Sequence, residues 1–443
     1  MPERKFLYIS PYFPPQSRVG ALRPLKFVKH LLDHHWLPVV LADLSSSDEI
    51  DPELEKAIPS KVEVVRNYSS HAGKAESKYY FDRKTNGRND RRSKARLVKK
   101  KKINPSALWS NFVQFLPNDS PFGPEFIPLG SHSLNILHAI KASRELLRRG
   151  NYKAILVNAD PYASLLVGAQ ISREFNLPLA LDLRDPWTVC DVRRKLRFWP
   201  QRKINDLLER RVVETASKVI LNTDKAMDAY RHHYRDLPAD HFTVIRNHGD
   251  VELSCSGQFP LPGVFTMLYF GSFRRFVEGT QLLMALAELR RRGYDGTQVQ
   301  LLVTGNIWGC TKKLIENMDI KDMIVDHPFV SYTQVGSFMR TMDMLISVSS
   351  KSIQRIPSKF FDYAVSDRPI LSISDNPELE KIVSSQHMSG ITFSSLNDVN
   401  AIADAMETAI AGGRRRTIDR GAINLDSVTA SAMLARVLDE ISA

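Results

Sequence analysis

Apolar residues in this chain recur at two spacings that take turns. Lys5 to Ser10, Pro38 to Ala42 and Val62 to Val65 are short apolar runs that read as buried strands. After the first of them comes the loop PYFPPQSRVG, and then Leu25, Val28, Leu31 and Leu32 at helical spacing. A strand, a Pro/Gly-containing loop and a helix form a βα unit, and its repetition predicts a parallel sheet. The rhythm resumes at Ser131 with a helix carrying Leu134, Leu137, Ile140, Leu146 and Leu147. Strands follow at Lys153 to Asn158 and in LPLALDL, KVILNT and FTVIRNHGD, with helices at DPYASLLVGAQIS, at LLERRVVETA and from Asp224.

Phe259-Pro260-Leu261-Pro262-Gly263 predicts a hinge, after which the alternation starts again. FTMLYFG, QLLVTGN, MIVD and MLISVS read as strands, and the helix holding Leu282, Leu283, Leu286 and Leu289 follows the first of them. Two doubly wound domains are therefore expected, residues 1–258 and 259–425. A last helix within 426–443 is expected to cross back to the first domain.

Residues 69–110 break the pattern. They are polar and basic, without apolar periodicity, and read as a mobile insertion. Between Lys74 and Lys102 lie 13 Lys or Arg against 3 Asp or Glu, a local charge of +10. The whole chain carries +12, so the rest is close to neutral at +2. The segment is read as a solvated loop, an anchor for anionic lipid headgroups or a nucleic-acid arm. No nucleic-acid motif accompanies it, which disfavours the last. Cys190, Cys255 and Cys310 lie far apart without metal-ligand spacing, which points to a reducing, cytoplasmic compartment. No apolar run is long enough to span a bilayer or serve as a signal peptide.

Two stretches carry candidate chemistry. In SVSSKSIQRIPSKFFDYAVSDRPIL, residues 347–371, Pro357 suits the first turn of a helix. Phe360, Phe361 and Ala364 form its apolar face, and Lys359 and Asp362 stand one turn apart. Free N–H groups at a helix start and a lysine beside them suit a phosphate. A carboxylate nearby can accept hydrogen bonds from vicinal hydroxyls, so the pair suits a nucleotide. The plainer reading is an amphipathic helix with a solvated Lys and a solvated Asp. In DLRDPW, Arg184 and Asp185 fall at the C-terminal end of a strand, where open α/β sheets place ligands. The plainer reading there is a salt bridge that orders the loop while Trp187 fills the core.

PSKFFDYAVSDRPIL resembles the PSKLFEYLAAGRPVL-type signature of family 4 glycosyltransferases. LPLALDLRDPW resembles the DxRDPW turn of the family's exopolysaccharide and lipid-linked-sugar branch. YISPYFPPQSRVGALRP, LERRVVETASKVILNTDKAMDAY, VIRNHGDVE and LYFGSFRRFVEGTQLLMALAEL resemble further segments of that family in the same order. The resemblance covers nearly the whole chain. It implies a GT-B fold, α/β with two Rossmann-like domains facing across a cleft. It also implies retaining transfer of a sugar from a nucleotide-sugar donor to an acceptor hydroxyl, in polysaccharide or glycolipid biosynthesis at the membrane's inner face. A non-catalytic GT-B protein that binds nucleotide-sugar or partners is the other reading, and a GT-B sugar-nucleotide epimerase a third.

No metal and no cofactor is implied beyond the nucleotide-sugar itself. By match to the family's motifs, Arg18, Gly20, Arg184 and Asp185 belong to the catalytic side. Gly271, Ser272, Arg274, Arg275, Gly305, Phe329, Val330, Gln354, Ser358, Lys359 and Asp362 belong to donor binding, with Lys359, Arg274 and Arg275 on the diphosphate, Asp362 on the ribose and His327 to Val330 at the base. The chain departs from the pattern in places: Gln354 and Asp362 stand where the family has glutamates, and Ser272 where a basic residue is usual. Gly20 alone represents a glycine pair, and Ser366-Asp367 replaces Ala-Gly.

Overall fold

The computed structural model describes residues 3–17, 19–43, 50–66, 135–159, 161–190, 199–250, 263–271, 273, 279–305, 307, 309–328, 330–349, 352–421 and 423–443. The basic insertion and the hinge residues 259–262 lie outside them, as do Arg18, Ser272, Arg274, Arg275 and Phe329.

Seven strands form the first sheet: β1 (Arg4–Ile9), β2 (Trp36–Ala42), β3 (Glu63–Arg66), β4 (Tyr152–Asn158), β5 (Leu179–Leu183), β6 (Lys218–Leu221) and β7 (Phe242–Val244). All pair in parallel, in the order β3-β2-β1-β4-β5-β6-β7. The helices between them are α1 (Val19–Leu31), α2 (Pro52–Lys56), α3 (Ile136–Leu147), α4 (Ala163–Phe175), α5 (Trp199–Thr215) and α6 (Asp224–His233). Side chains alternate across the sheet, as the pleat requires. Leu7 and Ile9 enter one apolar layer with Leu165 and Ile171, while Phe6 and Tyr8 enter the other with Phe27 and Val28.

The second sheet repeats the plan with six strands: β8 (Phe265–Tyr269), β9 (Val299–Val303), β10 (Ile324–Asp326), β11 (Met344–Val348), β12 (Ile370–Ile373) and β13 (Ile391–Ser394). Their order is β10-β9-β8-β11-β12-β13, again parallel. Here the helices are α7 (Thr280–Arg291), α8 (Gly309–Asn317), α9 (Val335–Arg340), α10 (Ser358–Ala364), α11 (Pro377–Ser385) and α12 (Val399–Ala411). Both sheets reverse strand order at their first strand, between β1 and β4 and between β8 and β11. In doubly wound sheets that reversal opens a crevice beyond the strands' C-terminal ends.

The last helix, α13 (Ser427–Ser442), lies on the first domain. Ala430, Leu434, Ala435 and Leu438 join the layer of Phe6, Tyr8 and Phe27, and Trp36 Nε1 donates to Asp439 at 3.0 Å. The two domains also touch directly. Glu378 of α11 accepts the Asp224 and Lys225 N–H groups at 2.7 and 3.0 Å, a carboxylate at the start of α6. Asp51 accepts from Ser331 Oγ at 2.6 Å and from the Tyr332 N–H at 3.2 Å.

Candidate active site

The segment PYFPPQSRVG leads from β1 into α1, which begins at Val19 and so includes Gly20 in its first turn instead of leaving it in the loop. A Cβ on residue 20 would come within 2.8 Å of the Tyr12 ring, so a glycine lets the helix lie against that loop. Pro24 sits inside α1 and has no N–H for the Gly20 carbonyl one turn earlier. Asn158, the last residue of β4, supplies the donor instead, with Nδ2 at 3.4 Å from that carbonyl.

Along the same helix, Arg23, Lys26 and Lys29 recur every third residue and all find acidic or carbonyl partners. Arg23 grips Asp182 of β5 in a two-pronged pair at 2.8 and 2.9 Å, and donates to the Ile245 and Arg246 carbonyls at 2.8 Å each. Lys26 Nζ donates to the His248 carbonyl at 2.6 Å and to Asp362 Oδ1 at 2.7 Å, tying α1 to α10 of the other domain. Lys29 pairs with Asp250 at 2.8 Å. Sequence reasoning missed all three, since a basic residue every third position reads as a solvated helix face. The signal that could have found them is the acidic set waiting at the strand ends, Asp182 in DLRDPW and Asp250 in NHGD.

On the opposite wall, α10 starts at Ser358, one residue later than the sequence suggested. Pro357 precedes the helix with ψ 129°, extended instead of helical. Phe360, Phe361 and Ala364 are buried as the pattern requires. Lys359 Nζ lies 4.4 Å above the Tyr269 ring, a cation–π contact. It also lies where a side chain at residue 271 would begin, 2.4 Å from an ideal Cβ. Glycine two residues past β8 leaves that space to the ammonium group, and two of the residues matched to donor binding meet in one place.

Asp362 is neither solvated nor isolated. Lys26 and the Tyr332 hydroxyl, 3.3 Å away, both bind Oδ1, and Oδ2 has no hydrogen bond from any described residue. Burial pushes its carboxyl above the ordinary value, and Lys26 works against that shift. Ser358 and Asp362 line a small open cleft together with Val19, Leu22, Arg23, Lys26, Arg184, Asn247 and His248. Side chains from both domains therefore share it. His248 Nδ1 faces the Arg246 carbonyl at 3.1 Å, so it carries the proton, and burial with Arg23 and Lys26 nearby keeps the imidazole neutral.

The DLRDPW turn contributes a second bridge. Asp185 lies 3.4 Å from Arg184 and 3.4 Å from Arg355 of the second domain. Arg355 in turn donates to Cys190 Sγ at 3.7 Å. Gln354 meets the first domain through its backbone, whose carbonyl accepts from Thr223 Oγ1 at 3.0 Å. Val330 is buried in an apolar cluster with Leu25, Leu54 and Tyr332, and Gly305 follows β9. A separate shallow pocket, mostly apolar, opens beside Pro11, Asn135 and Pro161 in the first domain. Among the described residues no three His, Cys, Asp or Glu side chains gather as a metal site, and no helix is long and apolar enough to cross a membrane.

No family profile matches the chain. Over 231 residues it is 24% identical to a D-inositol 3-phosphate glycosyltransferase of Arthrobacter sp. (strain FB24). That stretch spans 48% of this chain and 54% of the relative, about half the length of the protein it matches. Among solved structures it superposes on HepE of Anabaena, in complex with UDP and glucose, with a TM-score of 0.59 at 15% identity. That match covers 99% of this chain and 100% of the other. Sucrose-phosphate synthase of Thermosynechococcus elongatus gives 0.58 at 12% identity, covering 99% and 96%. The fold is GT-B. The GT-B likeness extends to a putative UDP-N-acetylglucosamine 2-epimerase of Listeria monocytogenes, with a TM-score of 0.58 at 10% identity over 99% and 96% of the chains. Which chemistry the cleft supports thus depends on its residues and not on the shape.

Proposed function

We propose that this chain is a retaining glycosyltransferase that moves a sugar from a nucleoside-diphosphate sugar to an acceptor hydroxyl, in the building of a polysaccharide or glycolipid. The observation that carries this reading is the shared cavity between the domains. Arg184 faces it from one sheet, and Ser358 and Asp362 from the other, with Lys359 beside Gly271 at the adjoining strand end. Donor and acceptor must meet between two domains, and a cleft at both strand-order reversals provides that place. The partial identity to a sugar transferase favours this over the epimerase reading.

In this reading the free Oδ2 of Asp362 accepts a ribose hydroxyl, while Oδ1 stays with Lys26 and Tyr332. Lys359 lies against the diphosphate, with Arg274 and Arg275 as further contacts and Gly20 of α1 on the acceptor side. As the bond from the anomeric carbon to the diphosphate breaks, negative charge grows on the phosphate oxygens. A cation already in place lowers the barrier without having to reorganise. Arg184 serves the same growing charge from the first domain, and Asp185, shared between Arg184 and Arg355, fixes its direction.

Thermal denaturation against a panel of nucleotides and nucleotide-sugars tests the donor half of this reading. A ligand at 100 times its Kd stabilises by about 2.7 kcal/mol. Stabilisation by a sugar nucleotide is expected, and a flat response across the panel would remove the reading's basis.

The basic insertion gives a separate expectation. Deleting Lys74 to Lys102 removes a charge of +10. The deletion should fold and bind anionic vesicles more weakly, since each Lys or Arg near such a surface contributes roughly 1 kcal/mol and salt screens it. Co-sedimentation with phosphatidylserine vesicles checks this, and equal binding by the intact and shortened chains would refute it.

A further inference from the structure

The turn that carries Arg184 and Asp185 is held from behind by a buried network built on Glu209, which lies on the inner face of α5 and is 1% exposed. Glu209 Oε2 accepts the Thr188 N–H at 3.1 Å and also the Thr188 hydroxyl. Its other oxygen accepts the Tyr230 hydroxyl, which itself accepts the Trp187 N–H at 3.0 Å. Trp187 stacks on Tyr162 with the rings 5.2 Å apart and 5° from parallel. The Tyr162 hydroxyl reaches back to the Pro186 and Asp185 carbonyls at 3.0 and 3.3 Å. Residues 185 to 188 of the turn are thus each held by this network or by the ring packed on it.

Three donors meeting on one carboxylate leave no acceptor for a carboxylic proton unless one of them turns away. A buried carboxylate is a costly choice for a merely structural clamp, since a neutral acceptor would serve. We infer that Glu209 is a positioning residue, whose ionised carboxylate sets the Arg184–Asp185 turn in register with Arg355 across the cleft and so couples turnover to its protonation. This rests on Arg184 belonging to the working site.

Burial pushes the Glu209 carboxyl up to about 7, with Thr188 and Tyr230 opposing the shift and Asp206 of the same helix adding to it. Tyr230 of α6 and Tyr234 just after it are the titratable groups beside it, and their own values are pushed up by burial, so both stay neutral in this range. A carboxyl raised on folding contributes stability that is complete below its unfolded value and lost as pH rises through about 7. The Thr188 and Tyr230 hydrogen bonds, unlike burial, favour the ionised carboxylate, so these bonds and the turn they hold should tighten as Glu209 ionises.

The experiment follows hydrogen exchange of the peptide holding Trp187 and Thr188, corrected for intrinsic rates, together with cleavage of UDP-glucose between pH 6 and 8. The parent, Glu209→Gln, Thr188→Val and Arg184→Ala are compared. Glu209→Gln is expected to lower protection of that peptide, reduce kcat by roughly tenfold to a hundredfold with KM little changed, and abolish the pH step in both readouts. Thr188→Val, which buries no new charge, should reproduce the loosening even where Glu209→Gln folds poorly. Unchanged protection in both variants overturns the inference. So does a loosened turn with kcat and pH profile like the parent's, because Glu209 then only stabilises. Arg184→Ala separates the two levels. If it cleaves UDP-glucose like the parent, the site assignment itself fails; if it loses turnover with exchange intact while Glu209→Gln does not, only the positioning role fails.

Discussion

Arg23→Met should destabilise the protein by about 3–5 kcal/mol, the largest stability loss expected from a single change near the cleft. Arg23 is 4% exposed and its partner Asp182 is 1% exposed. Methionine would fill much of the same space while leaving Asp182 as a buried charge with no counter-charge. The Ile245 and Arg246 carbonyls would lose a donor as well. Replacing both partners, as Arg23→Met with Asp182→Leu, should recover most of the loss, because the penalty comes from the orphaned charge. At about 2–4 °C per kcal/mol, the scale for a domain of roughly 150–250 residues, the first domain of the single variant should melt roughly 6–20 °C below the parent's. A single variant within about 1 kcal/mol of the parent in denaturant titration would show that this pair does not hold α1 to the sheet.

Lys359→Ala carries the second large effect, this time on function. A charge-assisted contact to a diphosphate contributes roughly 1.5–3 kcal/mol when water is excluded. Donor affinity should therefore fall by about tenfold to a hundredfold. Turnover should fall as well, because the phosphate gains charge on the way to the transition state. Folding should survive, since the ammonium group stands over the Tyr269 ring at a strand end and not in the apolar core. Asp362→Asn is the companion. An amide oxygen still accepts one hydrogen bond, so the ribose contact weakens less than with Asp362→Ala. Both variants also deprive Lys26 of its carboxylate, and a loss of domain closure should accompany the loss of donor. Donor titration by calorimetry and initial rates separate the two. Parent-like affinity and rate in Lys359→Ala would remove the donor-site assignment.

Much of the scaffold is legible in the sequence. Alternating βα units, the buried strand at Lys5 to Ser10, and the apolar face of Phe360, Phe361 and Ala364 follow from local spacing alone. The start of α10 was misread by one residue because proline's fixed φ suits an extended residue just before a helix as well as its first turn. What stayed hidden depends on distant pairing. Lys26 and Asp362 are 336 residues apart, and each by itself is an ordinary charged residue on a helix. Glu209 within LLERRVVETA looks like a solvent-facing glutamate, and only the fold brings Thr188 and Tyr230 to it. Gly271 and Lys359 were both matched to donor binding, and their contact is a product of the packing between β8 and α10.

The most direct test of the account is release of nucleoside diphosphate from a panel of nucleotide-sugars, with a glycolipid and polysaccharide extract as acceptor, for the parent and Lys359→Ala side by side. At least one donor should be consumed by the parent, with the anomeric configuration kept in the product, and consumption should fall at least tenfold in the variant. Binding of a nucleotide-sugar with no turnover by the parent would contradict it and leave a GT-B protein that recognises donors without using them.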